Sequence, residues 1–181
     1  MLKKTLIVLG ILIALAVAIM FYLNHRNRTL SPAGKAEISA QGLNISVEYS
    51  RPSVRDHQIC GPTDEALQVY GAYWRFGANE STEITVDKDF LVNGIPISAG
   101  RYKIYAFPGE KEFEIGFSKD IGNWGYSEPD YELDVARFKV PVQYQENTEQ
   151  FTISLKEASD GINLIAEFEK LSIQMSISAA T

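Results

Sequence analysis

Leu43-Asn44-Ile45-Ser46-Val47-Glu48-Tyr49-Ser50 is the stretch on which the fold turns. Apolar and polar side chains alternate at every step, the pattern of an extended strand with one buried face. Working outward, the same period of two returns in Ile84 and Val86, in Phe113, Ile115 and Phe117, and in Phe151, Ile153 and Leu155. It returns twice more, in Ile162, Leu164, Ala166 and Phe168, and in Leu171, Ile173, Met175 and Ile177. Asn93-Gly94 and Asp160-Gly161 are dipeptides of two-residue hairpins, and Ala99-Gly100 and Pro108-Gly109 mark further reversals. About eight to ten short strands at this spacing predict an all-β domain, an antiparallel β-sandwich or jelly-roll-like barrel. Only Asp64 to Tyr70 reads as helical, with Asp64 as its N-cap.

The chain begins differently. Leu6 to Leu23 is an unbroken apolar run without charge or proline. As a helix it is roughly 27 Å long, close to the hydrocarbon thickness of a bilayer. Small-x-small cleavage candidates, Ala14-Leu15-Ala16 and Ala16-Val17-Ala18, fall inside this run, where a signal peptidase site is badly placed. The expectation is a transmembrane signal-anchor over 1–24, a polar tether over 25–35, a β-domain over 36–178 and a loose tail over 179–181. Lys3 and Lys4 favour a cytoplasmic amino terminus, although His25, Arg26 and Arg28 flank the other end. The expected address is therefore the inner membrane, single-pass, with the domain on the periplasmic side.

Charge and composition exclude several functions. Setting aside Lys3, Lys4, Arg26 and Arg28 leaves 13 basic against 23 acidic residues, a net charge of −10 on the remainder. Such a surface repels phosphate backbones, so no nucleic-acid partner is expected. The membrane is the one partner the sequence names. Cys60 is the only cysteine, which rules out an intrachain disulfide. With His57 the sole histidine beyond the tether, the domain lacks the ligands of a structural zinc site, and no metal or cofactor is expected. A histidine-based triad would have to use His57, and no Gly-x-Ser-x-Gly elbow is present.

One segment breaks the alternation. Trp74-Arg75-Phe76-Gly77-Ala78-Asn79-Glu80 packs an aromatic, a guanidinium, an amide and a carboxylate together. Arg51, at the end of the first strong strand, is placed to join it. In one reading Arg51 and Arg75 flank Asn79 and Glu80 as an anion- or sugar-binding cluster, with Trp74 and Trp124 as aromatic platforms. In the other they form a buried ion pair that organises a turn.

These motifs also carry a resemblance. Tyr49-Ser50-Arg51-Pro52, Trp74-Arg75-x-Gly77-Ala78-Asn79-Glu80, Ala99-Gly100-Arg101-Tyr102 running into Phe107-Pro108, and Asn123-Trp124-Gly125 are similar to the family known as domain of unknown function 2911. The likeness spans most of residues 38–177. It implies an all-β domain of exported proteins from Bacteroidota-type bacteria and brings no activity with it. The chain departs from the family pattern in having Asp56-His57 where Gly-Arg is usual and Phe76 where a small polar residue is usual. Pro62 to Val69 also reads as an insertion.

Two functional classes follow. The first is a non-catalytic binding or scaffolding module of the cell envelope, with a groove lined by Arg51, Trp74, Arg75 and Trp124. The second is a carboxylate hydrolase acting on glycans through Glu80 with Glu48 or Asp134, which requires two carboxyls roughly 5–10 Å apart across a cleft.

Overall fold

The computed structural model describes residues 2–180. Helix α1 (Leu2–Leu30) leads into β1 (Ala33–Ala40), β2 (Leu43–Ser50), β3 (Cys60–Gly61), β4 (Gln68–Val69), β5 (Thr82–Val86) and β6 (Phe90–Val92). There follow β7 (Ile95–Ile97), β8 (Gly100–Phe107), β9 (Glu112–Ser118), β10 (Asp134–Pro141), β11 (Gln143–Ala158) and β12 (Gly161–Ala179). Six strands form one antiparallel sheet in the order β1-β2-β5-β8-β9-β10, and four form a second in the order β11-β12-β6-β7. The alternating apolar residues of both sheets meet in a single core. Its centre is aromatic: Trp74, Phe76, Phe113, Phe151 and Phe168 pack edge to face, with centroids 5.2–6.2 Å apart. The expected β-sandwich is the fold.

Turn chemistry explains how the strands reverse. Asn93 and Gly94 both take positive φ (47° and 82°) between β6 and β7, the geometry for which that dipeptide is suited. Gln41 and Gly42 do the same between β1 and β2 (52° and 77°). At the β11–β12 hairpin Ala158 pairs with Gly161, so the turn residues are Ser159 and Asp160 rather than Asp160 and Gly161. The last two alternating sets belong to one strand, β12. Its buried apolar side chains are even-numbered from Ile162 to Phe168 and odd-numbered from Ile173, and Glu169 (φ 54°) is the irregularity that flips the parity.

Two local expectations give way. Residues 64–70 are not helical. The N–H groups of Gln68 and Tyr70 bond to Ile59 and Gly61 carbonyls, forming the short parallel β3–β4 pair. Seven residues are too few to sustain a helix against such bonds. The stretch 25–35, expected as a short polar tether, is largely helix and strand. Helix α1 runs to Leu30 and β1 starts at Ala33, leaving only Ser31 and Pro32 between them. Proline stops the helix there by disfavouring helical geometry in the residue before it. At the far end β12 reaches Ala179, and the Ala180 N–H bonds to the Asp89 carbonyl at 3.0 Å, while Thr181 lies outside the described residues.

No residue of α1 is buried, and its apolar 18-residue window has a mean hydropathy of 3.0. Such a helix is long and apolar enough to cross a bilayer, and an uncleaved anchor and a signal sequence both fit it.

Candidate binding groove at the helix–sheet joint

The outward face of the six-stranded sheet carries a polar row that crosses all its strands. In register, Lys35 of β1 faces Glu48 of β2, then come Glu83 of β5, Lys103 of β8, Ser118 of β9 and Asp134 of β10. Glu48 and Glu83 stand directly opposite, which costs energy for like charges. Arg101 offsets this by pairing with both, through Nη2 to Glu48 at 3.0 Å and through Nε to Glu83. Glu83 also accepts from the Ser81 hydroxyl at 2.9 Å and the Gly122 N–H at 3.0 Å. Lys103 is fully buried beneath the loop that follows β9, its ammonium 3.0 Å from the Ser127 carbonyl and 5.6 Å from the Tyr73 ring centre. Burial pushes its pKa below the usual lysine value.

At the β1–β2 end of this row the surface opens into a groove of about 520 Å³. Lys35, Glu48, Glu80, Glu83, Arg101 and Asn123 line it, together with Arg28 of α1. The loop 119–133 supplies Asn123. It is tied down by the Gly125 N–H to the Asn79 carbonyl (3.1 Å), by Ser81 Oγ to the Asn123 carbonyl (3.3 Å) and by Tyr73 Oη to the Gly125 carbonyl (2.9 Å).

The six residues singled out by sequence go to several places. Trp74 is a core residue, only 5 % exposed, and forms no platform. Arg51 staples the sheets together, donating from Nε to the Phe151 carbonyl (3.5 Å) and from Nη2 to Thr152 Oγ1 (3.3 Å). Arg75 is half-buried, bonds the Asn79 carbonyl at 3.4 Å and lies over the Tyr126 ring at 5.4 Å, and desolvation lowers its pKa. Arg51 and Arg75 therefore do not flank Glu80, whose partner is Arg28. Asn79 is buried and donates from Nδ2 to the carbonyls of Ser31 (3.1 Å) and Asn27 (3.5 Å). The Asn27 carbonyl also accepts from the Ser31 N–H at 3.0 Å, so Asn79 ties down the C-terminal end of α1 from outside. Trp124 is half-exposed, its backbone bridged to Glu80.

The backbone of this segment is bent to suit. Phe76 and Asn79 hold positive φ (53° and 54°) and Gly77 reaches 146°. A Cβ on Gly77 would meet Thr82 Oγ1 at 3.1 Å and the Ser50 carbonyl at 3.2 Å. Burial of the Phe76 ring against Trp74 and Phe151 holds the unusual conformation in place.

Sequence reasoning missed Lys35, Glu83, Arg101 and Asn123 as groove residues. Arg101 and Asn123 lay within quoted motifs, and the outward parity of Glu48 was readable, but the register that brings them together was not. Of the two acids considered beside Glu80, Glu48 shares the groove. Asp134 lies at the opposite edge of the sheet, bonded to Tyr105 Oη and to Arg137 Nη2 (3.0 Å).

A two-sheet β-domain with one N-terminal apolar helix and a charged groove at their junction defines the class of protein. The chain belongs to the family described as Protein of unknown function (DUF2911), whose model matches residues 31–177. No curated protein and no solved structure matches it.

Proposed function

We propose that this is a membrane-anchored binding module without catalytic activity, which holds a small polar ligand or peptide end in the joint groove. The anchor is α1, left uncleaved, in the inner membrane, with the domain on the periplasmic side of the envelope. One observation carries the reading. All four stretches by which the chain resembles its family contribute to this groove: Tyr49 and Ser50, Glu80, Arg101, and Asn123. Among the lining residues Tyr49 is the one aromatic, and it is buried. A sugar would find no aromatic face to stack on, whereas a ligand bearing both charge signs meets Lys35 and Arg101 on one hand and Glu48 and Glu80 on the other.

A thermal-shift screen of the full chain in detergent with short peptides, amino acids and amino sugars tests this. A ligand at a hundred times its Kd is expected to raise the Tm by about 5–10 °C. Lys35→Ala and Glu48→Gln, both at exposed positions of the wall, are expected to abolish the shift while leaving the unliganded Tm nearly unchanged. Shifts that survive both substitutions place binding elsewhere.

Glu48, Glu80 and Glu83 lining one groove is the observation that favours a second reading, a carboxylate hydrolase of glycans. Each of the three is already paired with an arginine, Glu80 with Arg28 and the others with Arg101. Release of reducing sugar from glycans, lost in Glu80→Gln, would favour hydrolysis over binding.

A further inference from the structure

Seven large hydrophobic side chains outside α1 are well exposed among the described residues: Leu67, Ile121, Trp124, Tyr126, Tyr131, Leu133 and Tyr144. Their placement is uneven. Leu67 (54 % exposed) shares a surface hollow with Asn27, Leu30 and Ser31 of the helix end. Ile121, Trp124 (45 %) and Tyr126 (74 %) belong to the loop whose Gly122 and Asn123 line the groove with Arg28. Both loops therefore lie beside the last turn of α1. That turn is held by neighbouring segments, through Asn79 on the Asn27 and Ser31 carbonyls, Glu80 on Arg28, and Arg55 Nη2 on the Leu30 carbonyl at 3.4 Å, and the loop carrying Trp124 is bonded in turn to Asn79 and Ser81.

The height of this surface follows from helix geometry. The apolar run ends at Leu23, and Asn27 and Arg28 stand four and five residues further on, about 6–8 Å along the axis. The headgroup layer on each side of a bilayer is itself about 5–8 Å thick. Loops lying beside residues 27–31 are thus held at headgroup depth, where tryptophan and tyrosine partition favourably because one end of the ring is apolar and the other polar.

We propose that these two loops seat the base of the domain in the headgroup layer of the bilayer, with Trp124 as the principal anchoring side chain and Leu67, Ile121 and Tyr126 around it. The seat rests on α1 being an uncleaved membrane anchor. The net acidity of the domain makes zwitterionic lipid the natural partner. Arg26 and Arg55 at the helix end supply local positive charge to phosphate groups.

The test uses the full chain reconstituted in phosphatidylcholine vesicles, plain or brominated near the headgroup end of the acyl chains. Flotation reports the anchor, and tryptophan emission reports the seat, since bromine quenches only on close approach. Trp74 in the core supplies an unquenched reference that also reports folding. The expected result is that the chain floats, its emission falls in brominated vesicles, and Trp124→Phe removes that fall while leaving the reference emission intact. A chain that floats with emission indifferent to bromine overturns the seat and leaves the anchor standing. Equal quenching of native chain and Trp124→Phe also overturns it. A chain that stays in the aqueous phase overturns both.

Discussion

Gly116 lies under the ring of Tyr105, its cross-strand neighbour, and a Cβ there would come within 2.1 Å of the ring. The absence of a side chain lets Tyr105 lie flat across the sheet, where its hydroxyl meets Asp134 and Arg137. Gly116→Ala is expected to cost about 2–3 kcal/mol by overpacking. In a Tyr105→Ala background the same substitution should be nearly neutral, and a double-mutant cycle by urea unfolding checks this. At this scale the sequence showed which residues were unusual but not what each one does. Trp74 stood out by breaking the alternation, yet platform and core tryptophans look alike until Phe113 and Phe151 arrive from distant strands. Glu80 was legible as a functional candidate, whereas its partner Arg28 was assigned to the tether and so passed over.

Between strands, the arginine of β8 settles a conflict created by register. Removing it leaves Glu48 and Glu83 opposed, with Glu83 almost buried. Arg101→Met is expected to destabilise the fold by about 1–3 kcal/mol. Adding Glu83→Gln should recover part of that loss, because the neutral amide no longer needs a counter-charge. Recovery of nothing would mean that the arginine acts through packing alone. Strands with one fully buried face were the legible ones, since burial enforces the alternation that betrays them. β1 escaped notice for the opposite reason: it is an edge strand with no fully buried residue, so Ala36, Ile38 and Ala40 make a weak pattern. The misread helix at 64–70 had a plausible cap and apolar spacing, and it lost to backbone bonds with a segment that sequence could not place beside it.

For the molecule as a whole, alkaline stability is the sharpest expectation. Burial pushes Cys60 and Tyr73 up to about 12 and raises Tyr105 and Tyr131 as well. An unfolded chain loses these protons near the ordinary values, roughly 8.5 for cysteine and 10 for tyrosine. The folded state therefore binds more protons above about pH 8.5, and its advantage, complete below that pH, declines as pH climbs toward the folded values. Lys103 works the other way, because its lowered pKa favours folding as pH rises toward 10.5, but burial raises Tyr70 and Tyr102 too, and the raised groups outweigh it. The urea midpoint should fall steadily between about pH 8.5 and pH 11. A flat midpoint would contradict this accounting.

The two-residue link between α1 and β1 has a consequence for reach. A module on a long flexible leash sweeps a deep volume and meets whatever diffuses through it. One mounted on a rod, with its last turn clasped by Asn79 and Glu80, keeps a single bearing and samples a layer no deeper than itself. With α1 as the membrane anchor proposed above, anything the domain captured would already be skimming the lipid surface, and encounters would become a two-dimensional search among neighbours in the same membrane.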